Sequence, residues 1–245
     1  MIASLPMYLR PETKAAHDRY WHAIGQILRA AGIQAPDHLT KDCESLDHWL
    51  APDLILSQTC GRPYKLHLHN KVSLIGTPDY GLEGCAPGYY RSVFIMRKSD
   101  RRRDLFDFRD ARFAFNDRMS QSGWAAPQVR VAKLGFQFET CVHSHGHQNS
   151  AKMVANNTAD IAALDMLSWH YIQKYDDFAE DLRVLSQTPP TPGLPYICAP
   201  STDHQAVAAA VSKAIADLTD KDQQDLHLKG LATLPPSTYL SVPNP

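Results

Sequence analysis

A long hydrophobic run is missing from this 245-residue chain, and nothing in it approaches the roughly 18 apolar residues of a membrane span. An excess of one charge is missing too. Twenty-five Lys and Arg against 26 Asp and Glu leave a formal net charge of -1. No global field therefore draws the protein to nucleic acid or an anionic membrane, and any anion recognition has to be local. Cysteine is sparse. Cys43, Cys60, Cys85, Cys141 and Cys198 are odd in number and show no CxxC spacing, which argues against a disulfide framework or a zinc site; one pair could bridge in an oxidising compartment, and free, partly buried thiols are the simpler expectation. The loop Gly84-Cys85-Ala86-Pro87-Gly88 lacks the GK[ST] ending of a phosphate-binding P-loop, and neither GxSxG nor HExxH occurs. Met1 to Tyr8 has no basic n-region, apolar h-region or cleavage site. The expectation is a cytoplasmic protein or a sequence beginning near its mature start.

What is present is ordinary globular composition, 44% hydrophobic and 21% charged, on a length that allows one large domain or two lobes of roughly 100 residues. Short apolar strands alternate with helical stretches. Strands are expected at Ile2 to Met7, Pro52 to Gly61, Lys71 to Gly76 (ended by Gly76-Thr77-Pro78), Tyr89 to Met96, Arg112 to Phe115, Asp160 to Leu164, Arg183 to Leu185 and Tyr196 to Ala199. Helices are expected from Pro11 to Gly32, from about Ser120 onward, from Gln148 to Asn156 with Asn157 in the left-handed cap position, from Leu167 to Lys174, and from Gln205 to Leu218. Arg97 to Arg103 reads as a solvated basic face, and the Pro-rich tail as a surface segment. The alternation predicts an α/β architecture with parallel pairing.

Three clusters carry chemistry. Ser120-Gln121-Ser122-Gly123 lies between a buried strand and a helix start, where unpaired backbone N–H groups and two hydroxyls suit an anion; a plain N-cap is the simpler alternative. His143-Ser144-His145-Gly146-His147 has the alternation of a metal site, but no Cys or acid completes a ligand set, so one imidazole lining a pocket with the others solvated is favoured over metal. Asp165 ends an apolar strand, where open α/β sheets bind ligands, or it caps the next helix; both readings stay open. Of the aromatics Tyr8, Tyr89, Tyr90, Trp124 and Trp169, at least two should be core, while a Tyr hydroxyl can also wall a polar ligand.

In order and spacing, these pieces resemble one family. Gly88-Tyr89-Tyr90-Arg91-Ser92-Val93 is similar to the Tyr-Tyr-Ser-Val crossover strand of phosphonate-binding proteins. Asp104 to Phe115 resembles their Asp-Leu-x-Gly-Lys-x-Phe-Ala-Phe segment, and Asp117 to Trp124 resembles Asp-Pro-x-Ser-Thr-Ser-Gly-Tyr. Gly146-His147-Gln148 followed by Val154 to Asp160 resembles Ser-His-Asp and Val-Ala-Asn-Gly-x-Val-Asp. The chain thus resembles the phosphate/phosphonate substrate-binding proteins of ABC transporters over about Tyr80 to Ala199. The resemblance implies a two-lobed type II periplasmic-binding-protein fold, each lobe a mixed, mostly parallel sheet flanked by helices. Residues 1-89 with 194-245 would form lobe one and 90-193 lobe two, with hinge strands near Tyr89 to Val93 and Leu194 to Cys198. It implies ligand contacts from Ser120, Gln121, Ser122, His147 and Tyr89 or Tyr90, with Ser57, Gln58 and Thr59 facing the cleft from lobe one and Tyr8 and Asp165 as further candidates. In this chain Gln121, Arg118 and Asn157 replace the family's Thr, Pro and Gly, and Gln121 would crowd a tetrahedral head group.

The function implied is capture of a small oxyanion for ABC-type import, with no catalytic residue, metal or cofactor, by a monomer whose partners are the ligand and permease subunits rather than nucleic acid. The resemblance points to the periplasm. The alternatives are a cytoplasmic enzyme on the same fold, of the menaquinone- or thiamin-pyrimidine-biosynthesis type with His147 or His145 as base and Asp165 orienting it, and a cytoplasmic ligand sensor.

Overall fold

The computed structural model describes residues 1–41 and 45–245; Cys43 lies outside the described residues. Along the chain, strand β1 (Ile2–Ser4) is followed by helix α1 (Lys14–Ala30), then β2 (Leu54–Gln58) and β3 (Ser73–Asp79). Next come β4 (Ser92–Arg97), β5 (Phe113–Phe115), a π-helical turn at Gln121–Ala125 that runs into α2 (Ala126–Ala132), β6 (Cys141–His143) and α3 (His147–Ala155). Strand β7 (Ile161–Asp165), α4 (Met166–Tyr175) and β8 (Leu182–Gln187) follow. The chain ends with β9 (Tyr196–Cys198), α5 (His204–Ala216), α6 (Asp220–Leu226), β10 (Gly230–Ala232) and α7 (Pro236–Leu240).

These elements form two compact units. Met1–Tyr89 with Pro192–Leu240 is the first; Tyr90–Thr191 with Ser241–Pro245 is the second. The first holds a five-stranded sheet ordered β1-β2-β9-β3-β10, in which β9 runs antiparallel to both its neighbours. The second holds a sheet ordered β6-β5-β7-β4-β8, with parallel pairs on one side and β4 antiparallel to both its neighbours. In each sheet a reversed strand is inserted between co-directional ones, and in the first the edge strand β10 is also antiparallel to β3.

Period-2 alternation explains the second unit's core. Val93, Ile95, Ala162 and Leu164 point to one face, where α3 and α4 contribute Val154, Trp169 and Ile172. Phe94, Met96, Ile161 and Ala163 point to the other, against Leu105, Phe108, Val131 and Phe138. Both faces are covered, so the strands read as continuous apolar runs rather than as clean alternations.

Several expectations need correction. Strand β3 does not stop at Gly76 but continues through Pro78 to Asp79. Its β9 pairing ends at Gly76, and beyond that point only β10 pairs with it, so the missing N–H of Pro78 is tolerated on an open edge. The segment Tyr89 to Met96 is not one strand: Arg91 interrupts it, because its carbonyl turns to accept Met166 N at 3.1 Å. The tail is not a mere surface segment. Asp222 of α6 accepts Arg19 Nε at 3.1 Å, and Leu226, Leu228 and Tyr239 are buried. Nor is Arg97 to Arg103 simply solvated. Arg97 donates to the Val154 and Ala159 carbonyls at 2.8 and 2.6 Å, and Arg102 pairs with Asp100. An arginine two or three residues from its own acid reads as surface charge in sequence, yet here it closes the end of the sheet.

Candidate functional site

In the second unit, β5 delivers the chain to Asn116 at the sheet end, and a tight turn follows, with Ser120 N donating to Asp117 O at 3.1 Å. Ser120 then caps the helical segment: its Oγ accepts Gly123 N at 2.9 Å. The first turn is π-wound, with Ala125 N reaching back to Ser120 O at 3.0 Å. Such turns are rare and frequently mark functional sites, although the chain has a second one at Tyr64–Leu68. The Ser120 hydroxyl hydrogen is still available to donate, because the oxygen serves the cap as an acceptor. Ser120, Gln121 and Ser122 are all buried. The N–H groups of Gln121 and Ser122 lie at the helix start, where no intrahelical carbonyl precedes them.

His147 opens α3 and meets this turn. Its Nε2 lies 3.1 Å from Ser122 Oγ. Its Nδ1 is sealed from solvent and has no hydrogen-bond partner, and burial pushes its pKa down from 6.5 to about 4. The ring is therefore neutral near pH 7. Placing its one proton on Nε2 leaves only a lone pair orphaned at Nδ1, which costs less than an orphaned N–H. Nε2–H then donates to Ser122 Oγ, and the serine hydroxyl is left to donate outward. A sign follows for stability. The unfolded chain binds a proton near pH 6.5 that the folded ring resists, so stability is intact above 6.5 and is lost progressively as pH falls toward 4. Thermal melts of the wild type should fall through that window, and in H147Q this component should be absent; an identical pH dependence of the two would contradict the assignment.

Neighbouring groups hold the pair in place. Ser92 Oγ donates to Ser122 O at 2.9 Å. Ser144 Oγ bonds Phe115 O at 3.0 Å and Ser150 Oγ at 2.6 Å, tying the His-rich turn to β5 and α3. The other two histidines are exposed. His143 Nε2 reaches Asn116 O at 2.9 Å, and His145 sits at φ 65. Asp165 is buried and caps α4, its Oδ1 accepting Leu167 N at 2.8 Å and Ser168 N at 3.1 Å. It also faces Ser92 across the β4–β7 pair. Tyr90 is buried and Tyr89 half-buried. Ser92 and Asn116 are the neighbours that sequence reasoning did not single out. Ser92 stood within the Tyr-Tyr-Arg-Ser-Val segment, but a hydroxyl on a buried strand gives no signal of what it binds.

In the first unit, Ser57, Gln58 and Thr59 are buried and engaged internally. Ser57 Oγ bonds Ser4 Oγ at 2.8 Å. Gln58 Nε2 donates to Tyr80 Oη at 3.0 Å and Leu194 O at 3.2 Å, and Thr59 N donates to Pro195 O at 3.1 Å. Tyr8 packs edge-on against Tyr80 with ring centroids 5.0 Å apart. With His17, Tyr20 and Gln58 these tyrosines line a cavity of about 10 Å³, near the size of one water.

Two five-stranded α/β sheets, each with a reversed strand between co-directional ones, in a first unit built from two separate stretches of chain and a second built around the stretch between them, have the architecture of the type II periplasmic-binding-protein fold, and solved structures agree. PhnD1 from Prochlorococcus marinus, in complex with methylphosphonate, aligns with a TM-score of 0.74 at 14% identity, over 98% of this chain and 94% of its own. XAC2383 from Xanthomonas citri, bound to ATP, aligns with a TM-score of 0.69 at 16% identity, over 97% and 92%. A binding-protein component of a phosphonate ABC transporter from Pseudomonas aeruginosa aligns with a TM-score of 0.66 at 17% identity, over 95% and 80%. No curated protein matches the chain. Residues 61–237 match the family of periplasmic substrate-binding proteins of phosphonate ABC transporters, and the chain belongs to that family. Its members are substrate-binding transporter components, not enzymes, which removes the enzyme alternative.

Proposed function

We propose that the protein captures a phosphorus oxyanion, a phosphonate or phosphate, on the helix start of its second unit and presents it to an ABC permease. The observation that carries this reading is the buried Ser122 hydroxyl, fixed by a neutral His147 so that it donates outward, within a turn capped by Ser120. Family membership and the methylphosphonate bound by PhnD1 support the same chemistry. Gln121, next to both serines, is the residue we assign to discrimination: its side chain is longer than the hydroxyl of the family's Thr and ends in an amide that both donates and accepts, so it sets the size and polarity of the head group admitted. The protein works as a monomer without nucleic acid; its charge of -1 offers no field for a polyanion.

Calorimetric titration with methylphosphonate, inorganic phosphate, acetate and ATP tests this reading. A hydrogen bond to a charged group is worth about 1.5–3 kcal/mol, so S122A should weaken phosphorus-oxyanion binding by roughly 10- to 100-fold; it also leaves the buried His147 Nε2–H without its acceptor, which should lower stability by about 1–3 kcal/mol while the protein stays folded. Unchanged affinity in S122A would overturn the helix-start site.

A further inference from the structure

Arg62 follows β2 by four residues, in the helical turn Gly61–Pro63 of the first unit. Its guanidinium is half-buried. Nε and Nη1 are sealed from solvent, and neither meets an acceptor. Other half-buried arginines have acceptors: Arg91 donates to Gln187, Arg97 to two carbonyls, Arg102 pairs with Asp100 and Arg112 with Asp160. Burial depresses the guanidinium pKa, and the Cys60 sulfur is the titratable neighbour that opposes this. Among the described residues no carboxylate pairs with it.

A guanidinium stays charged at any physiological pH, so Arg62 cannot relieve its burial by losing a proton, as a buried lysine or histidine does. Donors held out of water without acceptors carry their whole desolvation penalty, and a charge more so. The fork of N–H groups matches the paired oxygens of phosphonate, phosphate or carboxylate. Ser57, Gln58 and Thr59, expected from sequence to supply the first unit's ligand contacts, are already bonded within that unit. Among the described residues, Arg62 Nε and Nη1 are buried donors without an acceptor at this end of β2.

We propose that Arg62 is an oxyanion-binding side chain of the first unit, donating from its guanidinium to the oxygens of a phosphonate, phosphate or carboxylate group. The inference rests on the oxyanion reading for the class of ligand, but not on Ser122 for its site.

Titration of the full-length wild type, R62Q and S122A with methylphosphonate, inorganic phosphate and acetate tests it, with circular dichroism to verify folding. R62Q should weaken binding of at least one of these anions 10-fold or more and flatten its dependence on salt. The anion most affected identifies a phosphoryl or a carboxylate group. R62K, which keeps the charge but loses the fork, should fall between wild type and R62Q. Should R62Q fail to fold, R62M carries the same comparison. Weakened binding in R62Q with none in S122A upholds Arg62 and overturns the helix-start reading. Weakened S122A with R62Q binding every anion as wild type does overturns Arg62 alone. A wild type that binds none of the three overturns both.

Discussion

Replacing Asp160 by alanine should lower the unfolding free energy by about 2 kcal/mol, between the cost of breaking a buried ion pair and that of a solvent-exposed one, because Asp160 and its partners are only partly buried. Asp160 is the acceptor on which three elements of the second unit converge. Its Oδ2 accepts Arg112 N at 2.9 Å and Arg112 Nε at 3.0 Å, and its Oδ1 accepts Arg112 Nη2 at 3.0 Å and Arg97 Nη2 at 3.3 Å. Arg97 in turn holds the Val154 and Ala159 carbonyls, which fixes the end of α3 and the left-handed Asn157 turn against β4. Hydrogen bonds from Arg112 hold the Asp160 carboxyl well below the usual carboxylate range. In D160A Arg112 loses its counter-charge while remaining in place, and Arg97 keeps only Asp100, at 4.0 Å. Urea unfolding followed by tryptophan fluorescence measures the loss, and a decrease under about 1 kcal/mol would contradict the network's role. The pH dependence gives a second check. A carboxyl with a depressed folded-state pKa stabilises fully above its unfolded value near 3.8 and loses that contribution as pH falls through the folded pKa. The gap between wild type and D160A should therefore be constant from pH 7 to about 5 and close below 4.

This network was hidden in the sequence, for a reason that separates what could be read from what could not. Local signals were legible: the apolar runs of β2, β4 and β7, the 3.6-residue pattern of α1, and Asn157 as a left-handed cap all follow from neighbours in sequence. The serine cap was legible because residue type, strand end and helix start coincide there. Long-range charge pairing was not. Arg112 and Asp160 are 48 residues apart, and Arg97 and Asp160 are 63 apart, so Arg97 to Arg103 looked like surface charge. Pro78 was read as a stop because sequence does not show which strand edge is open. For Asp165 both chemical readings were stated, and the structure shows the cap. The tail was missed because α6, β10 and α7 are each short and their burial depends on the rest of the first unit. The unbalanced charge of Arg62 was equally invisible, since isolation from acceptors is a property of the packed chain.

The helix start depends most sharply on Gly123, and G123A should nearly abolish oxyanion binding, by 100-fold or more, where S122A removes a single donor. The constraint is space, not backbone conformation. A Cβ at this position would lie 1.9 Å from Asn116 Oδ1, 2.8 Å from Asn116 Cγ and 3.2 Å from His147 Cε1. Asn116 has little room to yield: it is part-buried, Oδ1 is sealed from solvent without a partner, and its carbonyl is held by His143. The added methyl must therefore push the π-turn away from β5 and the imidazole away from Ser122 together. Overpacking of this kind costs about 1–3 kcal/mol, and a site held to within about 0.5 Å does not keep its geometry through such a shift. The expected result is a folded protein, less stable by about 2 kcal/mol, that no longer binds methylphosphonate or phosphate at concentrations saturating the wild type. Shortening the obstacle should restore it. In N116A/G123A the closest contact is gone, so affinity should recover at least 10-fold over G123A, and the coupling energy of the cycle reports the contact directly. If G123A bound the anion as tightly as wild type, the ligand would not be using this turn, and the serines would be helix caps and nothing more.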